Sequence, residues 1–211
     1  MKFKTALFDF DGVIVDTERI YDIFWEEMGK RYQLEIENFA LAIKGTTLPH
    51  IIKTYFSSYS LETQQQIIQE SNDFDSTMPL PAMPGSMEFL HLLKEQGVQI
   101  GLVTSSDDLK VKRAFKLHHL ENMFDTIVTA DRITKGKPDP MCYLLAANDL
   151  NVSPADCIVF EDSFAGIQAG TDAGMRVIGL STTNPEETLK DKVYEVIPNF
   201  EQITFEDYLR W

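Results

Sequence analysis

Lys4-Thr-Ala-Leu-Phe8-Asp9-Phe10-Asp11-Gly12 alternates along its length, is rich in β-formers, and stops at Asp-Gly. It reads as a strand over 4–10 that delivers acids at its end. The side-chain period of two sets Asp9 and Asp11 on one side of the extended chain, opposite Phe8 and Phe10. Two carboxylates so close repel unless a cation or a phosphoryl group lies between them, although a solvated Asp-Gly turn fits the same residues. A calcium loop does not, since Val13 and Ile14 continue an apolar run and the further oxygen ligands are absent.

Working outward, residues 17–77 switch to helical periodicity, with Ile20, Phe24, Met28 and Tyr32 recurring every fourth position and no convincing strand. Phe24, Trp25, Tyr55, Phe56 and Tyr59 read mostly as the core of this block. Pro79, Pro81 and Pro84 with Gly85 form a stiff break, because proline fixes φ and removes a donor. Beyond it, helices near 86–96, 108–117, 141–150 and 164–173 alternate with apolar strands at 98–104, 126–129, 157–160 and 176–180. Such alternation predicts an α/β fold, a Rossmann-like parallel sheet with helices on both faces. The expected organisation is a core of residues 1–16 and 84–211, with a small all-helical cap, 17–83, inserted after the first strand. Gating of the cap about 16–17 and 79–84 is expected.

Three more strand ends carry polar groups. Val159-Phe160-Glu161-Asp162-Ser163 ends a strand in adjacent acids, and Ser163-Phe-Ala-Gly166-Ile-Gln-Ala-Gly170 opens a helix with an N-cap and small residues. Thr104-Ser105-Ser106-Asp107 offers hydroxyls and backbone amides that suit a phosphate oxygen, and caps a helix equally well. Lys135-Gly136-Lys137-Pro138-Asp139-Pro140 is a rigid cationic loop that alone reads as a surface turn. The four together, at the ligand-binding edge of one parallel sheet, point to a site. His118-His119 reads as a pair of solvated turn residues.

The 211 residues, 44% of them hydrophobic, suffice for one core plus a small insert. A net charge of −14 repels nucleic-acid backbones and anionic membranes, so neither is an expected partner. Cys142 and Cys157 lack zinc-site spacing and read as buried reduced thiols. No signal-like region or spanning stretch is visible, so a cytoplasmic location is expected, as a monomer or weak dimer.

Asp9-Phe-Asp11-Gly-Val-Ile-Val-Asp16-Thr17-Glu18, Thr104, Lys137-Pro-Asp-Pro and Glu161-Asp162-Ser-Phe-Ala-Gly-Ile-Gln-Ala-Gly resemble the four ordered motifs of the haloacid dehalogenase superfamily. The helical insert resembles the small cap of its beta-phosphoglucomutase and phosphoglycolate phosphatase branch. That resemblance implies a catalytic set of Asp9 as covalent nucleophile, Asp11 as acid and base in turn, and Thr104 and Lys137 on the phosphoryl oxygens. It implies Mg²⁺ held by Asp9 and Asp162 with Glu161 nearby and Asp11 turning its main-chain carbonyl to the ion. Gly12, Ser105 and Ser106 join Asp9, Thr104 and Lys137 as expected phosphate contacts, with Gly45 and Thr46 of the first cap loop reaching the substrate.

The implied activity is hydrolysis of a small phosphorylated metabolite, a sugar phosphate or similar phosphomonoester. Phosphosugar mutase and a non-catalytic phosphate-binding regulator are the alternatives. A mutase grips a second phosphate, which calls for cap cations. No Lys or Arg lies between Lys53 and Lys94. Where the mutase pattern carries a histidine and an arginine, this chain has Tyr21 and Leu48. An intact Asp11 speaks against mere binding.

Overall fold

The computed structural model describes residues 5–44 and 46–211. Five strands of the expected sheet, and a sixth, lie parallel in the order β3-β2-β1-β4-β5-β6: β1 (Thr5–Phe8), β2 (Gln99–Val103), β3 (Thr126–Val128), β4 (Cys157–Glu161), β5 (Arg176–Leu180) and β6 (Glu195–Ile197). All four residues of β1 are buried, as a strand covered on both faces requires. The chain leaves β1 toward β2 on one side and later places β4 on the other, so the strand order reverses at β1. Ligands of open parallel sheets bind at such a reversal, beyond the carboxyl ends of the strands.

Alternation along β1 feeds two apolar layers. Leu7 joins Val103, Val159, Cys142, Tyr143, Ala146 and Ile167 beneath α7 (Met141–Asp149) and α8 (Phe164–Asp172). Phe8 points the other way, stacking on Phe160 at 4.7 Å between centroids and meeting Phe89 of α5 (Ser86–Glu95) and Phe200. The α6 helix (Asp108–His118) links β2 to β3, and α9 (Glu186–Leu189) and α10 (Phe205–Arg210) complete this unit. Cys142 and Cys157 are buried and unbridged.

Residues Thr17–Pro79 form a separate compact unit. It holds four helices, α1 (Glu18–Arg31), α2 (Phe39–Ile43), α3 (Leu48–Tyr55) and α4 (Leu61–Thr77), and no strand among the described residues. Its core contains Trp25, Met28, Phe39, Ile52, Phe56 and Ile67, with Phe24, Tyr55 and Tyr59 packed against it. Ser60 caps α4 by accepting the Thr63 N–H at 3.1 Å.

The structure departs from the sequence reading in four places. The chain rejoins the sheet unit at Leu80, ahead of the expected position 84. Pro81 cannot donate but its carbonyl accepts the Asp16 N–H at 2.8 Å, while Ala82 bridges to Val15 and Met83 donates to Ile14 at 2.9 Å. The strand expected over 4–10 ends at Phe8, with Lys4 outside the described residues. His118 is not a solvated turn residue, for its ring lies 2.6 Å from the Leu80 carbonyl. β6 and α10, absent from the reading, close one apolar layer with Tyr208 and Trp211.

Trp211 is fully buried, 5.7 Å from Phe160 between ring centroids, and its indole N–H donates to Glu195 at 2.8 Å. Trp211→Ala is expected to lower stability by about 3 kcal/mol in a urea titration, the usual loss for a buried large aromatic. A loss below about 1 kcal/mol would show that the layer closes without it.

Candidate active site

Register fixes the centre of the site. Phe8 pairs with Phe160 on one side and Leu102 on the other, so the chain beyond β1 sets Asp9 beside Glu161 and Val103. The Asp9 N–H continues the ladder to the Phe160 carbonyl at 3.0 Å. Lys137 enters from the loop after β3 and joins the neighbours: its Nζ is 2.6 Å from Asp9 Oδ1, 2.6 Å from Glu161 Oε1 and 3.2 Å from the Val103 carbonyl. The sequence separations are 128, 24 and 34 residues. All three charged side chains are nearly shielded from water, with 7%, 12% and 0% of the side chain exposed for Lys137, Asp9 and Glu161.

Two carboxylates share one ammonium here, which leaves one negative charge in excess. Burial, opposed by Lys137 and reinforced by Glu161, pushes the Asp9 carboxyl up to about 7. Burial works against the Lys137 charge as well, yet Asp9 and Glu161 outweigh it and hold its pKa above the ordinary lysine range.

Glu161 is saturated by the protein. Oε1 accepts from Lys137 and from the Tyr143 hydroxyl at 3.1 Å, and Oε2 accepts from the Asp162 and Ser163 N–H groups and the Ser163 hydroxyl, each at 3.0 Å. Gly166 makes room for it, since a Cβ there would fall 1.6 Å from Glu161 Oε1. Ser163 caps α8 as expected, accepting the Gly166 N–H at 3.0 Å.

Asp162 is steered from the loop after β5. Thr183 donates to its Oδ2, Thr182 lies 3.4 Å from the same oxygen, and Asn184 donates to its carbonyl at 2.9 Å. Thr182 also donates to the Gly12 carbonyl at 2.7 Å, tying this loop to the turn after Asp11. Gly12 itself sits at φ +75° and donates its N–H to the Val15 carbonyl at 2.8 Å.

Carboxylate oxygens of Asp9, Glu161 and Asp162 lie within 4.8 Å of one another. A hard divalent cation with a preference for few carboxylates and retained waters fits this set, because it offsets the cost of burying the Asp9 charge beside Glu161 and Asp162. With Glu161 occupied, Asp9 and Asp162 are the side chains suited to hold it, and Glu161 braces them. Asp11 does not join this carboxylate group. The pleat expected to align it with Asp9 stops at Phe8, and the turn that follows sends its carboxylate to Lys110 at 2.5 Å and Ser106 at 2.7 Å.

The loop after β2 caps the helix that follows it, one of the two roles its residues suggested. Thr104 is buried and its hydroxyl accepts the Ser106 N–H at 2.9 Å, whereas Ser105 is exposed and the Ser106 hydroxyl goes to Asp11. Asp107 caps α6, accepting the Lys110 N–H at 2.9 Å. In the helical unit the Thr46 hydroxyl donates to the Ile43 carbonyl at 2.6 Å, and Gly45 lies outside the described residues. Tyr143, Thr182, Thr183, Asn184 and Lys110 were not singled out from the sequence. The loop position of Thr182–Asn184, one residue past a fifth parallel strand, is the signal that would have found three of them.

Residues 6–180 match the haloacid dehalogenase-like hydrolase family. The chain is 31% identical over 193 residues to the validoxylamine A 7'-phosphate phosphatase of Streptomyces hygroscopicus subsp. limoneus, covering 90% of this chain and 91% of that protein. It is 31% identical over 195 residues to the beta-phosphoglucomutase of Bacillus subtilis, covering 86% and 85%. Among solved structures, a family IA variant 3 HAD hydrolase from Entamoeba histolytica superposes with a TM-score of 0.86 at 28% identity, over 99% of this chain and 98% of that one. No helix among the described residues is long and apolar enough to cross a membrane.

A raised acid weakens the fold as pH rises. Between the unfolded value near 3.8 and the folded value near 7, the native state keeps a proton that the unfolded chain has lost. Stability therefore falls across that window, by at most about 4 kcal/mol. The Lys137 shift lies above the window and adds no slope there. Metal-free protein is expected to lose several degrees of Tm between pH 5 and pH 8, and Asp9→Asn to lose most of that dependence and to melt above wild type at pH 8. Parallel pH profiles for the two proteins would contradict a buried Asp9 carboxyl that keeps its proton in the folded state. With its ordered motifs, its parallel sheet and this family match, the chain belongs to the haloacid dehalogenase-like hydrolases.

Proposed function

We propose that this protein is a Mg²⁺-dependent phosphatase acting on a small phosphorylated metabolite, a sugar phosphate or similar phosphomonoester, through an aspartyl-phosphate intermediate. The observation that carries this reading is the buried Lys137 ammonium 2.6 Å from both Asp9 and Glu161, beside Asp162, at the strand reversal of a parallel sheet. Relatives with phosphatase and mutase names support the substrate class.

In this reading Asp9 Oδ attacks phosphorus as the bond to the leaving alkoxide breaks, and Asp11 gives that oxygen a proton. Asp11, now ionised, takes a proton from a water that attacks the aspartyl phosphate, releasing inorganic phosphate and restoring Asp9. Lys137 grips a phosphoryl oxygen by exchanging its longest bond, to the Val103 carbonyl at 3.2 Å. Thr104 closes the phosphoryl site from the neighbouring strand end. Asp9 and Asp162 would hold the Mg²⁺, which would supply charge neutralisation for the nucleophile and the transferring group.

Hydrolysis is favoured over mutase chemistry by the charges of the helical unit. Its Lys44 is held by Glu18 and Asp22, each at 3.0 Å, and the two acids together outweigh burial and raise its pKa. Arg31 pairs with Glu70, and Tyr21 donates to Asp75 at 2.6 Å. The loop carrying Thr104 runs on into Asp107 and Asp108. These pairings engage Lys44 and Arg31, which disfavours a grip on a second phosphate.

Wild-type protein is expected to hydrolyse p-nitrophenyl phosphate with Mg²⁺ and to lose activity in EDTA. Asp9→Asn is expected to lower kcat by about 1000-fold or more with the fold intact by circular dichroism. Near-normal turnover by that variant would reject Asp9 as nucleophile. Full activity in EDTA would remove the metal from the mechanism. Catalytic exchange of glucose 1-phosphate and glucose 6-phosphate without phosphate release would replace the phosphatase with a mutase.

A further inference from the structure

Lys110 stands in the first turn of α6 with only 3% of its side chain exposed. Burying an ammonium is costly unless it is paired, and here it lies 2.5 Å from Asp11 Oδ1 and 5.7 Å from the Phe10 ring centroid. The second oxygen, Asp11 Oδ2, accepts from Ser106 at 2.7 Å. Both donors are themselves fixed by short local contacts. Thr104 Oγ1 accepts the Ser106 N–H, and the Asp107 cap accepts the Lys110 N–H, each at 2.9 Å. One seven-residue loop-and-helix start therefore wraps the Asp11 carboxylate from two sides. The other acids of the site do not share this arrangement, since Asp9, Glu161 and Asp162 converge on one another instead.

We propose that Lys110, assisted by Ser106, is the positioning residue for the proton-transferring carboxylate. The inference rests on the phosphatase reading, with Asp11 as acid and base. In the first half-reaction the Asp9 oxygen bonds to phosphorus, and the electron pair of the breaking P–O bond stays on the leaving oxygen. The Asp11 proton goes to that oxygen, leaving a carboxylate. Lys110 and Ser106 hold that carboxylate in one orientation as its charge forms, and keep it from swinging into the acid cluster two residues away. In the second half-reaction the same carboxylate, in the same orientation, takes the water proton. A loss of Lys110 would therefore be felt in proportion to how much the leaving group needs a proton.

The test compares kcat/KM, which reports steps up to departure of the alcohol, for two substrates with Mg²⁺ present. p-Nitrophenolate leaves without help from an acid, whereas the sugar alkoxide of glucose 6-phosphate requires a proton. The ratio of glucose 6-phosphate to p-nitrophenyl phosphate is expected to fall about 100-fold in Asp11→Asn and about tenfold in Lys110→Met. Ser106→Ala, which leaves no buried charge unpaired, is expected to shift the ratio in the same direction by about threefold, and decides the matter if Lys110→Met does not fold. A merely structural role would lower both substrates together. An unchanged ratio in the folded Lys110 and Ser106 variants, beside a lowered one in Asp11→Asn, would overturn this inference alone. An unchanged ratio in Asp11→Asn would instead overturn the acid role of Asp11, and this inference with it.

Discussion

One buried ammonium holds the site together. Lys137 reaches Asp9, Glu161 and the Val103 carbonyl, and so ties the loop after β3 to the ends of β1, β2 and β4. A lysine this shielded is tolerable only because two carboxylates meet it, and those carboxylates lie side by side only because Phe8 and Phe160 are in register. The stacked pair Phe8 and Phe160 thus does for geometry what Lys137 does for charge. Apolar residues on one side of the sheet fix the spacing of acids that leave its edge.

The adjacent acids Glu161 and Asp162 divide the labour. Glu161 is bound on both oxygens by five donors and braces the strand end, with Gly166 shaped to its carboxylate. Asp162 is aimed by threonines of the loop after β5, beside the Asp9 carboxylate. This division explains why a site with so much negative charge folds: half of it is already paired, and the remainder suits a cation. The third acid, Asp11, is set apart by its own lysine.

Much of this was legible in the sequence, for physical reasons. A strand buried on both faces is an apolar run, and its end is where polarity returns, so Asp9, Thr104 and Glu161-Asp162 could be placed at one edge without knowing the neighbours. The direction of each side chain was not legible. Extending the pleat through Asp11 placed it with Asp9, but the strand ends at Phe8, and the turn closed by Val13, Ile14 and Val15 on the Phe10 carbonyl sets its carboxylate against Lys110 and Ser106. Lys110 lies in a helix with Lys112, Arg113 and Lys116, where it looks like one more solvated cation. Only packing separates it from them. Thr182 and Thr183 belong to no motif and are marked only by their place just past β5, and β6, with three residues, offers too little alternation to read. The return at Leu80 was obscured by prolines, whose carbonyls still accept bonds.

The proposed chemistry turns on a single atom pair, the Asp9 oxygen and phosphorus. Wild-type enzyme turning over a sugar phosphate with Mg²⁺, quenched rapidly in acid and mapped by peptide mass spectrometry, tests that bond directly. A phosphoryl group on the peptide containing Asp9, released by hydroxylamine as an acyl phosphate must be, is the result expected. A hydroxylamine-resistant phosphoryl group on another residue, in enzyme that is turning over, would contradict it.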